Sequence, residues 1–230
     1  MNGHTRGLVI AIDGPSGAGK STIARLLARR LRYLQIDTGA MYRSAALLMS
    51  REGIDPDDLP RLERFCATLS VNFSTVAGTQ RVFANGQDVT DQIRTPEMSL
   101  MTSRVAALKP VRDALVLAQR EMGRIGGVVL EGRDIGTVVF PDADLKFFLF
   151  ASPEERGRRR FAELVSKGEP VTLEETIADV LQRDAQDSQR DLAPLRQADD
   201  AIAVDSTGVS IDAIVARMET LVREKLGTGE

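Results

Sequence analysis

The sequence predicts an α/β fold in which helices cover both faces of a central parallel sheet. Three observations carry that expectation. Leu8–Ile12 and Val128–Leu130 are continuous apolar runs, and Leu145–Phe150 is one interrupted by Lys146, the pattern of strands buried on both faces. Stretches of helical periodicity separate them. A glycine-rich segment, Gly14–Ser21, joins the first apolar run to the first helical pattern.

The elements follow in order. From Thr22 to Leu34, Ile23, Leu26, Leu27 and Leu31 recur at helical spacing with arginines on the other face. Gln35–Gly39 reads as a short turn in which Thr38 caps a helix over Ala40–Arg51. Asp55–Asp58 opens a further short helix with Pro56 in a tolerated early position. Val71–Ser74 and Arg81–Ala84 alternate, Ala77–Thr79 turns between them, and Asn85-Gly86 is a strong hairpin signal. Val71–Val89 is therefore expected to be a small antiparallel insertion of two or three strands, too small to be stable alone. Thr95–Glu97 opens a helix, and Pro110 begins or kinks another that fades by Gly126-Gly127. Ser152–Glu155 and Thr172–Glu175 are capping-box starts. Ala201–Asp205 is the last strand, and Ile211, Ile214, Val215, Met218, Leu221 and Val222 form one face of a closing helix.

Composition narrows the class. The 230 residues suit one large domain or a core with insertions, and 43% hydrophobic with 27% charged residues is ordinary for a globular chain. A net charge of −3 offers no general attraction to nucleic acid or anionic lipid. The single cysteine, Cys66, cannot form an internal disulfide and reads as a buried small apolar residue, which suits a reducing compartment. No apolar stretch precedes the first strand and no run has the length to span a bilayer, so the expected location is cytoplasmic, with no membrane partner. His4 is the only histidine, which excludes a histidine-dependent hydrolytic triad and argues against a zinc site.

Gly14-Pro15-Ser16-Gly17-Ala18-Gly19-Lys20-Ser21 is the full G-x-x-x-x-G-K-[ST] pattern in its strand–loop–helix context. Glycines let several backbone N–H groups converge on one centre, and the helix N-terminus adds partial positive charge. Lys20 then reaches the β and γ phosphates of a nucleoside triphosphate, and Ser21 can hold Mg²⁺. The expected fold is thus the three-layer P-loop NTPase arrangement. A phosphate acceptor needs a second anionic site, for which four clusters qualify. The first is Asp37–Arg43 and the second Glu131–Thr137, at the carboxyl end of a buried strand. The third is Ser103 with Arg112, each of which on its own reads as structural. The fourth joins the run Arg156–Arg160 to Arg183, Asp184, Asp187 and Arg190, of which Arg183, Asp187 and Arg190 are spaced for one helical face. Lys167–Pro170 reads as the tip of a flap whose arginines close over a transferring phosphoryl group.

These residues resemble the bacterial cytidylate kinases, within the P-loop nucleoside monophosphate kinases. The resemblance rests on Ile12–Lys20, Asp37–Arg43, Gly132–Pro141, and Arg183-Asp184 through Asp187 to Arg190, with Ala193–Leu195 and Asp205–Thr207 also fitting. It runs from about Leu8 to about Leu226, and Gly132–Pro141 is its specific part. It implies a single kinase domain with a core (about 1–37, 108–152 and 196–230), a monophosphate-binding insertion (about 38–107) and a lid (about 153–195). It implies transfer of the γ-phosphoryl group of ATP to CMP or dCMP with Mg²⁺ as cofactor, by a monomer. Gly14, Pro15, Ser16, Gly17, Ala18, Gly19, Lys20, Ser21 and Thr22 would then bind ATP. Thr38, Arg43, Arg133 and Arg190 would bind the phosphate and sugar end of CMP, Arg183 and Asp187 its sugar, and Ser103, Arg112 and Asp134 its cytosine. Lys20, Arg133, Arg158 and Arg190 are the expected catalytic residues, Ser21 the metal ligand, and Glu131 is left open between a positioning and a magnesium-related role.

The last base assignment also has independent chemical sense. A carboxylate accepts from cytosine N4, and a guanidinium donates to N3 and O2 together. Uracil reverses that pattern, which costs on the order of 1–3 kcal/mol per unpaired group. Another P-loop kinase, acting on AMP, UMP or a metabolite such as shikimate, is the main rival. A GTPase switch lacks its Asn-Lys-x-Asp tetrapeptide here, and the acidic balance disfavours a nucleic-acid ATPase.

Overall fold

Apolar runs become strands wherever helices can cover them from both sides. The computed structural model describes residues 7–227, so His4 lies outside the described residues. The strands are β1 (Val9–Asp13), β2 (Leu34–Asp37), β6 (Val128–Gly132), β7 (Leu145–Phe150) and β8 (Ile202–Asp205), in the spatial order β2-β6-β1-β7-β8. β1 pairs in parallel with β6 and with β7, and β7 pairs in parallel with β8. β1 is central, so its last residue, Asp13, lies in register between Gly132 and Phe148. Every residue of β1 and β6 is buried, which explains why their sequence does not alternate.

The chain forms two compact units. One comprises the residues up to Gln35 and those from Ile125 onward. It contains α1 (Lys20–Leu31), α6 (Pro153–Ser166), α7 (Leu173–Gln189), α8 (Ile211–Gly227) and most of the parallel sheet. Its core joins Ile10, Ile12, Phe147 and Leu149 of the sheet to Ile23 and Leu27 of α1 and Val215 and Met218 of α8. α6 and α7 pack on each other, and Thr172 begins α7 with a full capping box closed by Glu175.

The other unit is Ile36–Arg124. It holds α2 (Thr38–Glu52), α3 (Leu59–Thr68), α4 (Pro96–Val105), α5 (Lys109–Gly123), and a small antiparallel sheet of β3 (Val71–Val76), β4 (Thr79–Ala84) and β5 (Gln87–Asp88). It includes α5, which the sequence groups with the core. The insertion has the three strands its alternation predicts, and the β4–β5 turn places Asn85 and Gly86 at φ 45° and 79°. Those positive angles are what a tight hairpin turn demands.

Five local expectations need correction. Leu34–Asp37 is a strand rather than a turn, and Asp37, not Thr38, caps α2 by accepting from Ala40 N–H at 2.8 Å. The carboxylate satisfies an amide that the helix start leaves unpaired, and Thr38 becomes the first helical residue. α3 likewise starts after Asp58, which accepts from Arg61 N–H, so Pro60 rather than Pro56 occupies its first turn. Arg190 lies one residue beyond α7, with extended backbone. Cys66 is half-buried rather than buried, and burial raises its thiol pKa with help from the charges of Asp113 and Glu63.

Candidate active site

The turn from β1 to α1 takes its shape from glycine. Gly14 has φ 149°, and a Cβ there would sit 1.9 Å from Leu149 O. Gly17 and Gly19 also have positive φ, at 74° and 92°. The turn delivers Lys20 as the first residue of α1, where its buried ammonium donates to Pro15 O at 2.5 Å. Burial lowers the Lys20 pKa well below its ordinary value, and the charges of Arg133 and Arg183 push the same way against Glu131 and Asp187. Next to it, Ser21 Oγ donates to Glu131 Oε2 at 2.7 Å, and Gln35 Nε2 donates to Glu131 Oε1 at 2.9 Å. Glu131 thereby joins the end of β6 to the start of α1, and Thr22 follows half-buried.

Beyond β6 the chain makes a wide turn over Ile135–Val139. Val139 N–H bonds to Asp134 O at 3.2 Å and Phe140 N–H to Ile135 O at 2.7 Å, both spanning five residues. Just before it, Arg133 Nε donates to Asp187 Oδ2 at 2.8 Å. Asp134 is buried with Arg190 Nη2 at 3.6 Å from its Oδ1, and Arg190 Nε donates to Ala193 O. Burial raises the Asp187 pKa, but the charges of Arg133 and Arg183 outweigh it and hold the carboxyl below its ordinary value.

The arginine run of α6 divides by position. Arg156 is buried and donates to Ala151 O, to Ser16 O and to Asp184. Asp184 also accepts from Ser16 N–H at 3.3 Å, so both polar ends of this one residue of the glycine loop are held by the α6–α7 pair. Arg159 donates to Ser206 Oγ and O at 3.0 and 2.6 Å. Arg158, the arginine the sequence singles out, is exposed at 65% of its side chain, with Glu155 at 3.7 Å.

The structure therefore gathers Lys20, Ser21, Arg133, Asp134, Arg183, Asp187 and Arg190 within one unit. Thr38, Arg43, Ser103 and Arg112 belong to the other. There, Thr38 is buried and Arg43 Nη2 donates to Asp37 Oδ2 at 3.1 Å, while Arg43 Nε is buried with no hydrogen-bond partner. Arg112 is buried, its guanidinium lies 5.8 Å from the centre of the Tyr42 ring, and its Nη1 donates to Ala106 O. Ser103 is half-buried on α4. Sequence reasoning misses the role of Asp13, which accepts the Ile135 and Gly136 amides, whereas Asp184 and Arg159 lie in the stretches it singles out but without the partners they hold here. An aspartate directly before the glycine loop is the one signal that could have drawn notice to Asp13. Among the described residues, no group of three or more His, Cys, Asp or Glu could hold a metal ion by itself.

The chain matches the family model described as Cytidylate kinase over residues 10–224. A cytidylate kinase of Geobacter sulfurreducens is 62% identical over 220 residues, covering 96% of this chain and 94% of that protein. One of Citrifermentans bemidjiense is 57% identical over 224 residues, covering 97% and 96%. One of Syntrophotalea carbinolica is 55% identical over 220 residues, covering 96% and 94%.

Proposed function

The chain belongs to the cytidylate kinase family, and on that premise we propose that it transfers the γ-phosphoryl group of ATP to CMP or dCMP, yielding ADP and CDP or dCDP. The observation that carries the reading is the cationic focus on Lys20. Lys20 is buried at the start of α1, at the end of a turn shaped by three positive-φ glycines, and the like charges of Arg133 and Arg183 act on it against its charged form, which supports a site for a polyanion. Backbone amides of Gly14–Thr22 and the Lys20 ammonium hold the ATP phosphates. Lys20, Arg133, Arg158 and Arg190 balance the charge spread over the transferring group.

On the acceptor side, Thr38, Arg43, Arg133 and Arg190 take the phosphate and sugar end. The unused Nε donor of Arg43 supports that role. Arg183 and Asp187 hold the sugar. Asp134 accepts from cytosine N4, Arg112 donates to its N3 and O2, and Ser103 completes the reading. The acceptor phosphate is already ionised near neutrality, so no strong general base is required. Closure of the α6–α7 hairpin excludes water and so favours transfer over hydrolysis.

The residues present suit Mg²⁺. The Ser21 hydroxyl, beside the Glu131 carboxylate, is a hard oxygen donor of the kind magnesium takes alongside substrate phosphates. When bound there, the ion would neutralise phosphate charge. The reading is completed by a cytoplasmic monomer, without nucleic-acid or membrane partners. ADP release with ATP and Mg²⁺ should be rapid with CMP and dCMP and slow with UMP and AMP. Preference for UMP or AMP would overturn the cytosine assignments while leaving a kinase.

A further inference from the structure

We propose that Asp13 is a positioning residue for the acceptor base: its carboxylate holds the loop that carries Arg133 and Asp134 in the shape that reads cytosine. This rests on the assignment of Asp134 to cytosine made above.

The geometry is specific. Asp13 is the last residue of the central strand and directly precedes Gly14 of the phosphate loop. It is 5% exposed. Its Oδ1 accepts from Ile135 N–H at 2.9 Å and its Oδ2 from Gly136 N–H at 2.7 Å. These are the two amides that follow Asp134. The Asp134 carbonyl accepts from Val138 and Val139, so the wide turn winds from the residue whose carboxylate is to meet the base. One carboxylate with both oxygens on successive amides fixes that turn as a sheet-end brace could not. A single bond would leave a hinge, whereas two define an orientation.

The arrangement needs the ionised form. Protonation turns one of the two oxygens into a donor facing an N–H group. Burial raises the Asp13 pKa to about 6, against the lowering effect of the two amides. Asp134 raises it further through like charge and Lys20 lowers it. From β7, the Lys146 stem packs where a Gly136 side chain would be, and its ammonium is engaged by Pro141 O and Asp200. A carboxylate burdened in this way is a costly structural brace, which favours a role beyond structure.

The test is the ratio of kcat/KM for CMP over UMP. Both nucleotides carry the same phosphate, so its ionisation cancels in the ratio. Asp13→Asn keeps the shape but puts an amide donor against one of the two N–H groups. At about pH 7.5 it should lower the ratio about tenfold, and the lowered value should not change with pH. In the unaltered protein the ratio should fall toward that value between about pH 7.5 and 5.5. A unit-for-unit loss of both activities with the ratio kept would mean a brace only, and would overturn the proposal. Asp134→Ala is run beside it. If Asp134→Ala loses discrimination and Asp13→Asn keeps it, the positioning role fails alone. If Asp134→Ala keeps discrimination, the cytosine assignment fails and the proposal with it. Should Asp13→Asn not fold, a flat ratio across that pH range in the unaltered protein would still overturn the proposal.

Discussion

The turn between β1 and α1 and the hairpin of α6 and α7 present positive charge in opposite ways. The turn uses backbone. Three glycines with positive φ shape it, and one buried lysine completes it within eight residues of chain. The hairpin uses long side chains held by distant partners. Arg156 is fixed by Ser16 and Asp184, Arg159 by Ser206, and Asp187 pairs with Arg133 from beyond β6. A backbone site depends on local conformation and on one ammonium. A side-chain site depends on which arginine finds a partner, and removing that partner strands a charge.

The contrast is sharpest at Lys20. Lys20→Met should lower kcat/KM by about a thousandfold, because its ammonium is the one side-chain charge the glycine turn itself carries to the phosphates. Stability should hold or rise, since an apolar chain of similar length replaces a buried ammonium. Parallel kinetics and thermal melts check both halves, and a variant that melts early would contradict a site that depends on local backbone and one ammonium.

Loss of a partner in the hairpin should act the other way round, on stability first. Asp184→Ala leaves the Arg156 guanidinium, whose side chain is 5% exposed, without its carboxylate. Urea unfolding should register a loss of about 3 kcal/mol.

Two of the buried carboxylates, Asp13 and Asp187, should also separate by pH. Asp13 has its folded pKa raised to about 6, so its contribution to stability is present below the ordinary value of 3.8 and is lost as pH rises through about 6. Asp187 is held below the ordinary value, so its contribution is present above 3.8 and is lost as pH falls. The stability of Asp13→Asn relative to the unaltered chain should therefore climb by about 1–3 kcal/mol between pH 4 and pH 7. Melting temperatures of the two proteins across that range test the sign, and parallel curves would contradict it.

Arg158→Ala should have the smallest structural effect. With its side chain 65% exposed, stability should change by no more than about 0.5 kcal/mol. If this arginine closes on the transferring group, kcat should drop about tenfold while affinity for CMP is kept. Equal losses in both would mean that it binds both states alike, and no loss would pass the role to Arg156 or Arg159.

What could be read in advance follows the same division. The phosphate loop, the apolar strands and the Asn85-Gly86 hairpin are encoded within a few residues, so spacing alone reveals them. The cap at Asp37 rather than Thr38 turns on which of two adjacent polar residues leaves the helix, a choice made by backbone geometry. The arginine run of α6 is visible, but whether Arg156, Arg158 or Arg159 faces the loop depends on where Ser16, Asp184 and Ser206 arrive. The bracing role of Asp13 is not legible in sequence, because its partners are amides 122 and 123 residues away. Gly132–Pro141 carries the family resemblance, yet its wide five-residue turn has no signature that periodicity could detect.

The reaction is followed most directly through the phosphoryl group itself. Incubation with ATP labelled at the γ position, Mg²⁺ and CMP should place the label in CDP, with little as inorganic phosphate, and Lys20→Met should slow that transfer about a thousandfold. Label appearing as inorganic phosphate while CMP remains unchanged would contradict the account.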